Sequence, residues 1–298
     1  MVSKIDSIHK KLFIFLSIIT SALYYMSDIY TELSSQIYIL FFLVSIIGLP
    51  HGFFDFSIGK ILFKKYYNLW SLYFIATYLL IFIIYFISWL FIPGLSLLFF
   101  LFLAAYHFGF EDYNYLSNGE EEYFNVSIFI KGLIIVFTPI LFHFEDINYL
   151  FQLLIGYKIP GIEFTLLQKL MFIILSLFHI LFEKEKKYLY KLEGIICFCN
   201  FIFLPPLLSF ILYFCFMHSI RHFIESIYIS NLLPQRFTIK SFITIITLSS
   251  LIFSFISISF IHNVYLISVN EAIIKFIFIT LACLTLPHMI FNMWPYKK

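Results

Sequence analysis

Residues 70–91 read WSLYFIATYLLIFIIYFISWLF, an apolar run without a single Asp, Glu, Lys or Arg. A helix needs about 20 such residues to cross the hydrocarbon of a bilayer, and this stretch has that length unaided. Working outward and cutting at charge clusters, Pro and Gly, the same reading predicts ten spans. They run over 12–27, 37–58, 70–91, 95–112, 127–143, 164–182, 193–206, 207–229, 241–261 and 272–291. The seventh is short and ends at Pro205-Pro206, and 146–157 reads as an interfacial helix.

Composition agrees. Of 298 residues, 62% are apolar and 12% charged, where a soluble domain carries roughly a quarter charged. Such a chain cannot cover a globule with polar surface, and its 42 Phe suit a lipid-facing one. The expectation is an all-α, polytopic membrane bundle forming one domain over 1–298, with no soluble domain. The Lys and Arg residues are scattered in short groups, so no basic patch for nucleic acid is present. Cys197, Cys199, Cys215 and Cys283 all fall in apolar segments and read as small buried hydrophobes. Lys10-Lys11 before an apolar run resembles a secretory signal, but no small-x-small cleavage site follows, which favours an uncleaved first helix.

With the N-terminus placed inside, alternate loops collect Lys4, Lys10, Lys11, Lys60, Lys64, Lys65, Lys131, Lys184, Lys186, Lys187, Lys191, Arg236, Lys240, Lys297 and Lys298. The opposite side holds Lys158, Lys169 and Lys275. Cytoplasmic loops are enriched in Lys and Arg, so this asymmetry predicts a cell-membrane protein with both termini cytoplasmic. The 111–131 loop, with five acids and one Lys, fits the pattern less well.

Ionisable residues inside a bilayer are costly and mark function by default. Four segments carry them: Gly48-Leu49-Pro50-His51-Gly52-Phe53-Phe54-Asp55, Tyr106-His107-Phe108-Gly109-Phe110-Glu111-Asp112, His218-Ser219-Ile220-Arg221-His222 and Leu286-Pro287-His288-Met289. Measured from the inner ends of their spans at ~1.5 Å per residue, the five histidines fall in one layer of the cytoplasmic half. His218 and His222 are four apart, so a helix presents both on one face as potential ligands of one metal. Asp55 and Glu111 each follow a histidine by four and can fix an imidazole's tautomer by accepting its second N–H. Pro50, Gly48 and Gly52 interrupt their helix, and Arg221 has Glu225 as its local partner. His9, His143, His179 and His262 lie in the tail or at span ends and are given no role.

Imidazole suits Zn, Cu, Fe and Ni, and spacing alone leaves non-haem iron, zinc and haem ligation open. A proton relay or transporter built on the His, Asp and Glu cluster is the alternative from another class.

In this order, the four segments resemble the Brp/Blh family of membrane β-carotene 15,15′-dioxygenases, which supply retinal to microbial rhodopsins. The matching patterns are G-x-P-H-G-x-x-D, H-F-G-x-x-D, H-S-x-R-H and a C-terminal P-H, extending from residue 48 to 288. The resemblance implies a non-haem iron(II), Fe(2+), enzyme with His51, His107, His218 and His222 as ligands. Asp55, Glu111, Asp112, Arg221 and His288 are then expected around the metal and not on it. It further implies central cleavage of β-carotene with dioxygen to two retinal molecules, and a link through retinal to a rhodopsin.

Overall fold

The computed structural model describes residues 2–26, 32–115, 122–183, 188–233 and 238–293. Every regular element among them is helical. In chain order these are α1 (Val2–Met26), α2 (Leu33–Phe63), α3 (Trp70–Phe91), α4 (Pro93–Asn114), α5 (Val126–Phe142) and α6 (Phe144–Ile155). There follow α7 (Leu166–Phe182), α8 (Tyr188–Phe203), α9 (Pro206–Tyr228), α10 (Ile239–Tyr265) and α11 (Val269–Asn292).

Each predicted span coincides with a helix, and among the described residues six are long and apolar enough on their own to cross a membrane: α2, α3, α4, α9, α10 and α11, or seven if the bent pair α5 and α6 is one span. The other four depart from the expected ten for visible reasons. The N-terminal half of α1 carries Asp6, Lys10 and Lys11. Helix α7 has 17 residues and α8 has 16, the latter with Lys191 and Glu193 inside it. Helix α5 contains Pro139, and the chain turns through 103° at His143 into α6, the segment read as interfacial. Of the positive residues counted in loops, Lys184, Lys186, Lys187, Arg236, Lys297 and Lys298 lie outside the described residues.

Helix α9 is the hub. In its central stretch 78% of residues are buried, against 17% in α3 and 28% in α10, whose Leu, Ile and Phe side chains face outward. Around α9 stand α1, α2, α4 and α8, with α11 closing the bundle against α2, α3 and α4. Glycines permit close packing at two helix pairs, α2 with α9 and α4 with α5. A Cβ at Gly48 of α2 would lie 2.6 Å from the Phe214 ring of α9. On α4 and α5, a Cβ at Gly109 or Gly132 would strike the facing backbone at Ile128 or Ala105. Small residues that admit a neighbouring backbone are the usual basis of tight helix pairs in lipid, where no hydrophobic force joins helices.

Neither α2 nor α9 winds regularly. In α2 the chain is π-helical over Val44–Gly48 and then tightens to a 3-10 turn over Leu49–Phe54. Pro50 causes the break, since it has no N–H to continue the ladder. In α9, π-helical stretches over Leu212–Ser219 and Glu225–Ile229 bracket a short α segment, Ile220–Ile224. Wide π turns inside helices are rare and concentrate at functional sites.

Candidate metal centre

The irregular winding delivers the histidines. His51 sits in the 3-10 turn of α2, and its Nδ1–H donates to the Gly48 carbonyl, which turns Nε2 to the other side of the ring. His218 is the penultimate residue of the first π stretch of α9, and His222 lies in the α segment after it. Both flank His51, with ring centroids 5.4 and 5.3 Å away. His107 of α4 brings its Nε2 to 3.3 Å from Nε2 of His218. His288 of α11 lies 5.6, 5.2 and 5.2 Å from the rings of His51, His107 and His222. Four helices thus bring five buried imidazoles together. Phe214 stacks along His218 at 5.7 Å and Phe108 meets it edge-on at 5.0 Å, so that ring has little room to turn.

The acids divide in a way the sequence does not announce. Asp55 serves His288, not His51. Its Oδ1 accepts from His288 Nδ1 at 2.8 Å and from Asn292 at 3.2 Å, while Oδ2 accepts from the Tyr78 hydroxyl at 2.9 Å. Glu111 faces His222, with Oε2 3.8 Å from Nδ1.

Asp112 and Arg221 belong to a second buried cluster, and the local expectation for Arg221 gives way to distant acids. Its guanidinium donates to Asp112 Oδ1 at 2.6 Å and to Glu193 Oε2, instead of closing on Glu225 alone. Tyr213 donates to Asp112 Oδ2 at 3.2 Å, and the Tyr115 and Tyr190 rings lie 4.8 and 5.3 Å from the guanidinium carbon. Lys10 pairs with Asp6 at 2.6 Å, and Lys131 with Glu183 at 2.8 Å. Lys10 and Lys131, read from sequence as loop charges, are therefore buried in ion pairs. Sequence reading passed over Glu193, Tyr78 and Asn292. Glu193 alone carried a signal, being an acid in a predicted span.

The donor set can hold a metal. His222 Nε2 is buried without a hydrogen-bond partner, and Nε2 of His107 faces Nε2 of His218 at 3.3 Å, where both can turn a lone pair to one metal. Among the described residues, the group with donor atoms all within 4.8 Å of one another is His107, Glu111 and His288. Two of those three were expected beside the metal and not on it.

A cavity of about 1420 Å³ opens onto His51, His107 and His288. That exceeds the roughly 300–1,000 Å³ of ordinary ligand pockets. Its walls are mostly Phe, Leu and Ile from α2, α3, α4, α9 and α11, with Lys60, Lys64, Lys65 and Asn231 toward one end.

A family model described as Beta-carotene 15,15'-dioxygenase matches residues 42–295. A curated Beta-carotene 15,15'-dioxygenase from Uncultured marine bacterium 66A03 is 31% identical over 259 residues, covering 83% of this chain and 90% of that protein. No solved structure matches the chain.

Proposed function

The chain belongs to the β-carotene 15,15′-dioxygenase family, and from that premise we propose that it cleaves the central double bond of β-carotene with dioxygen to give two molecules of retinal. One C=C bond and one O2 become two C=O groups, so the atoms balance without a reductant. The observation that carries the reading is the convergence of five buried imidazoles, three of which (His51, His107 and His288) line a large apolar cavity. A C40 hydrocarbon dissolves in the bilayer, and a cavity between helices can receive it there.

The residues proposed to hold the metal are His51, His107, His218 and His222, with His288 and Glu111 beside them. When bound, iron(II) supplies the capacity to bind and activate dioxygen. The chain supplies the rest. The Gly48 carbonyl and the Phe108 and Phe214 rings hold His51 and His218 in orientation. Asp55 holds His288 from behind through Nδ1. Apolar walls exclude water and grip a planar conjugated chain by dispersion and ring contact.

The proposed setting is the cell membrane, with both termini on the cytoplasmic side, as the distribution of Lys and Arg supports. Retinal made there is the pigment a microbial rhodopsin requires. Expression in a bacterium that accumulates β-carotene tests the activity: the cells should bleach and retinal should appear. Undiminished β-carotene beside a folded, iron-loaded protein would remove the substrate assignment.

A further inference from the structure

The cavity has two unlike ends. On the α2–α3 side its wall includes Phe56, Ile61, Ile75 and Leu79, which are 45%, 48%, 44% and 50% exposed. This side faces outward between two helices. On the other side of the histidines the wall is Leu281, which is buried, with Phe100, Phe210 and Leu284, which are half-buried and packed against the core. Phe210 is braced there by stacking on Phe214 at 5.1 Å and by the Phe278 ring at 5.4 Å. Phe100 precedes His107 by seven residues and Leu281 precedes His288 by seven. At 1.5 Å per residue, two helices place this end wall about 10 Å beyond the histidine layer.

A polyene carries nothing along its length to fix its position. Apolar burial is non-directional, and a conjugated chain slid along itself by one double bond makes nearly the same contacts. Registration therefore needs a stop at an end. We propose that the closed arm is that stop: one end group of the carotenoid seats against Phe100, Phe210 and Leu281, and the distance from this wall to the histidines selects the double bond that is cut. The other half of the substrate lies in the open arm and does not set the register. This rests on the carotenoid reading above and adds the residues that determine where cleavage falls.

The test removes the wall and reads fragment length. In Leu281→Ala, Phe100→Ala and their double variant, the chain should slide deeper and the cut should move off centre. One C=C and one O2 still give two aldehydes, but one is shorter than retinal and the other longer. The milder Leu281→Val and Phe100→Leu, which keep the fold if the larger changes do not, should show the same displacement to a smaller extent. Phe56→Ala and Ile75→Ala in the open arm should leave the position of the cut unchanged, whatever they do to the rate. Retinal as sole product from every wall variant, or a displaced cut from the open-arm variants, would overturn the proposal.

A second readout needs neither iron nor turnover. Leu281→Trp shortens the closed arm, so in the metal-free protein β-carotene should still bind but be displaced toward the open arm, read as a changed absorption band of the bound carotenoid. An apocarotenal, whose ringless end enters the shortened arm, should give the same band in variant and wild type. An unchanged β-carotene band would refute the stop even if wild type cleaves, and the predicted change would support it even if wild type does not.

Discussion

His288 differs from the other four histidines in how it is held. Its Nδ1 meets a carboxylate that is itself fixed by Tyr78 and Asn292, so three helices determine one ring. Carboxylates behind a histidine set its tautomer and basicity, and their loss typically weakens metal affinity by about 10- to 100-fold. Because His288 is proposed beside the metal and not on it, Asp55→Asn should lower iron affinity by less than that, a few-fold, in a chelator competition on purified protein, and Tyr78→Phe should do so more weakly. Asp112→Asn should leave affinity near wild type, because that carboxylate lies on Arg221. Unchanged affinity in Asp55→Asn would make the Asp55–His288 pair merely structural. The histidines themselves were legible in the sequence, since an ionisable group inside an apolar run is conspicuous. Their partners were not. Local spacing offered Asp55 to His51 and Glu225 to Arg221, but the pairs formed span 233, 109 and 28 residues, and nothing in a single sequence reports contacts of that range.

At the scale of elements, Arg221 ties the irregular helix α9 to α4 through Asp112 and to α8 through Glu193. It lies one residue from His222, on the same short α segment. Removing one member of a buried ionic group leaves the others uncompensated and costs about 3–5 kcal/mol. Arg221→Met should therefore lower the thermal unfolding midpoint in detergent sharply, while the triple change with Asp112→Asn and Glu193→Gln should restore much of it. A midpoint unaltered in Arg221→Met would mean that the cluster does not brace α9. The π-helical stretches of α9 carry no sequence signature, whereas the break in α2 does: Pro50 cannot extend a helix, and the structure changes winding there. Pro139 is the opposite lesson. It lay unremarked inside a predicted span, and four residues later the chain turns by 103°.

Over the whole molecule, hydropathy located the helices well because lipid requires long apolar runs with satisfied backbones. Length and charge, and not apolarity alone, separate the six helices that pass as spans among the described residues from the four predicted spans that fall short. The cavity was invisible to hydropathy, since a Phe that lines a cavity and a Phe that meets lipid are the same letter. Orientation rests on charge: a reporter fused after Lys298 should read as cytoplasmic and one in the 262–271 loop as external, and an external C-terminus would reject that topology. The central claim is that one carotenoid and one dioxygen become two retinals at a histidine-held centre. Purified protein reconstituted with iron(II) tests it most directly, with oxygen uptake and retinal measured together. The account predicts one O2 consumed and two retinals formed per β-carotene, with both lost in a folded His218→Ala variant. Turnover persisting in His218→Ala, or unequal fragments from the wild type, would contradict it.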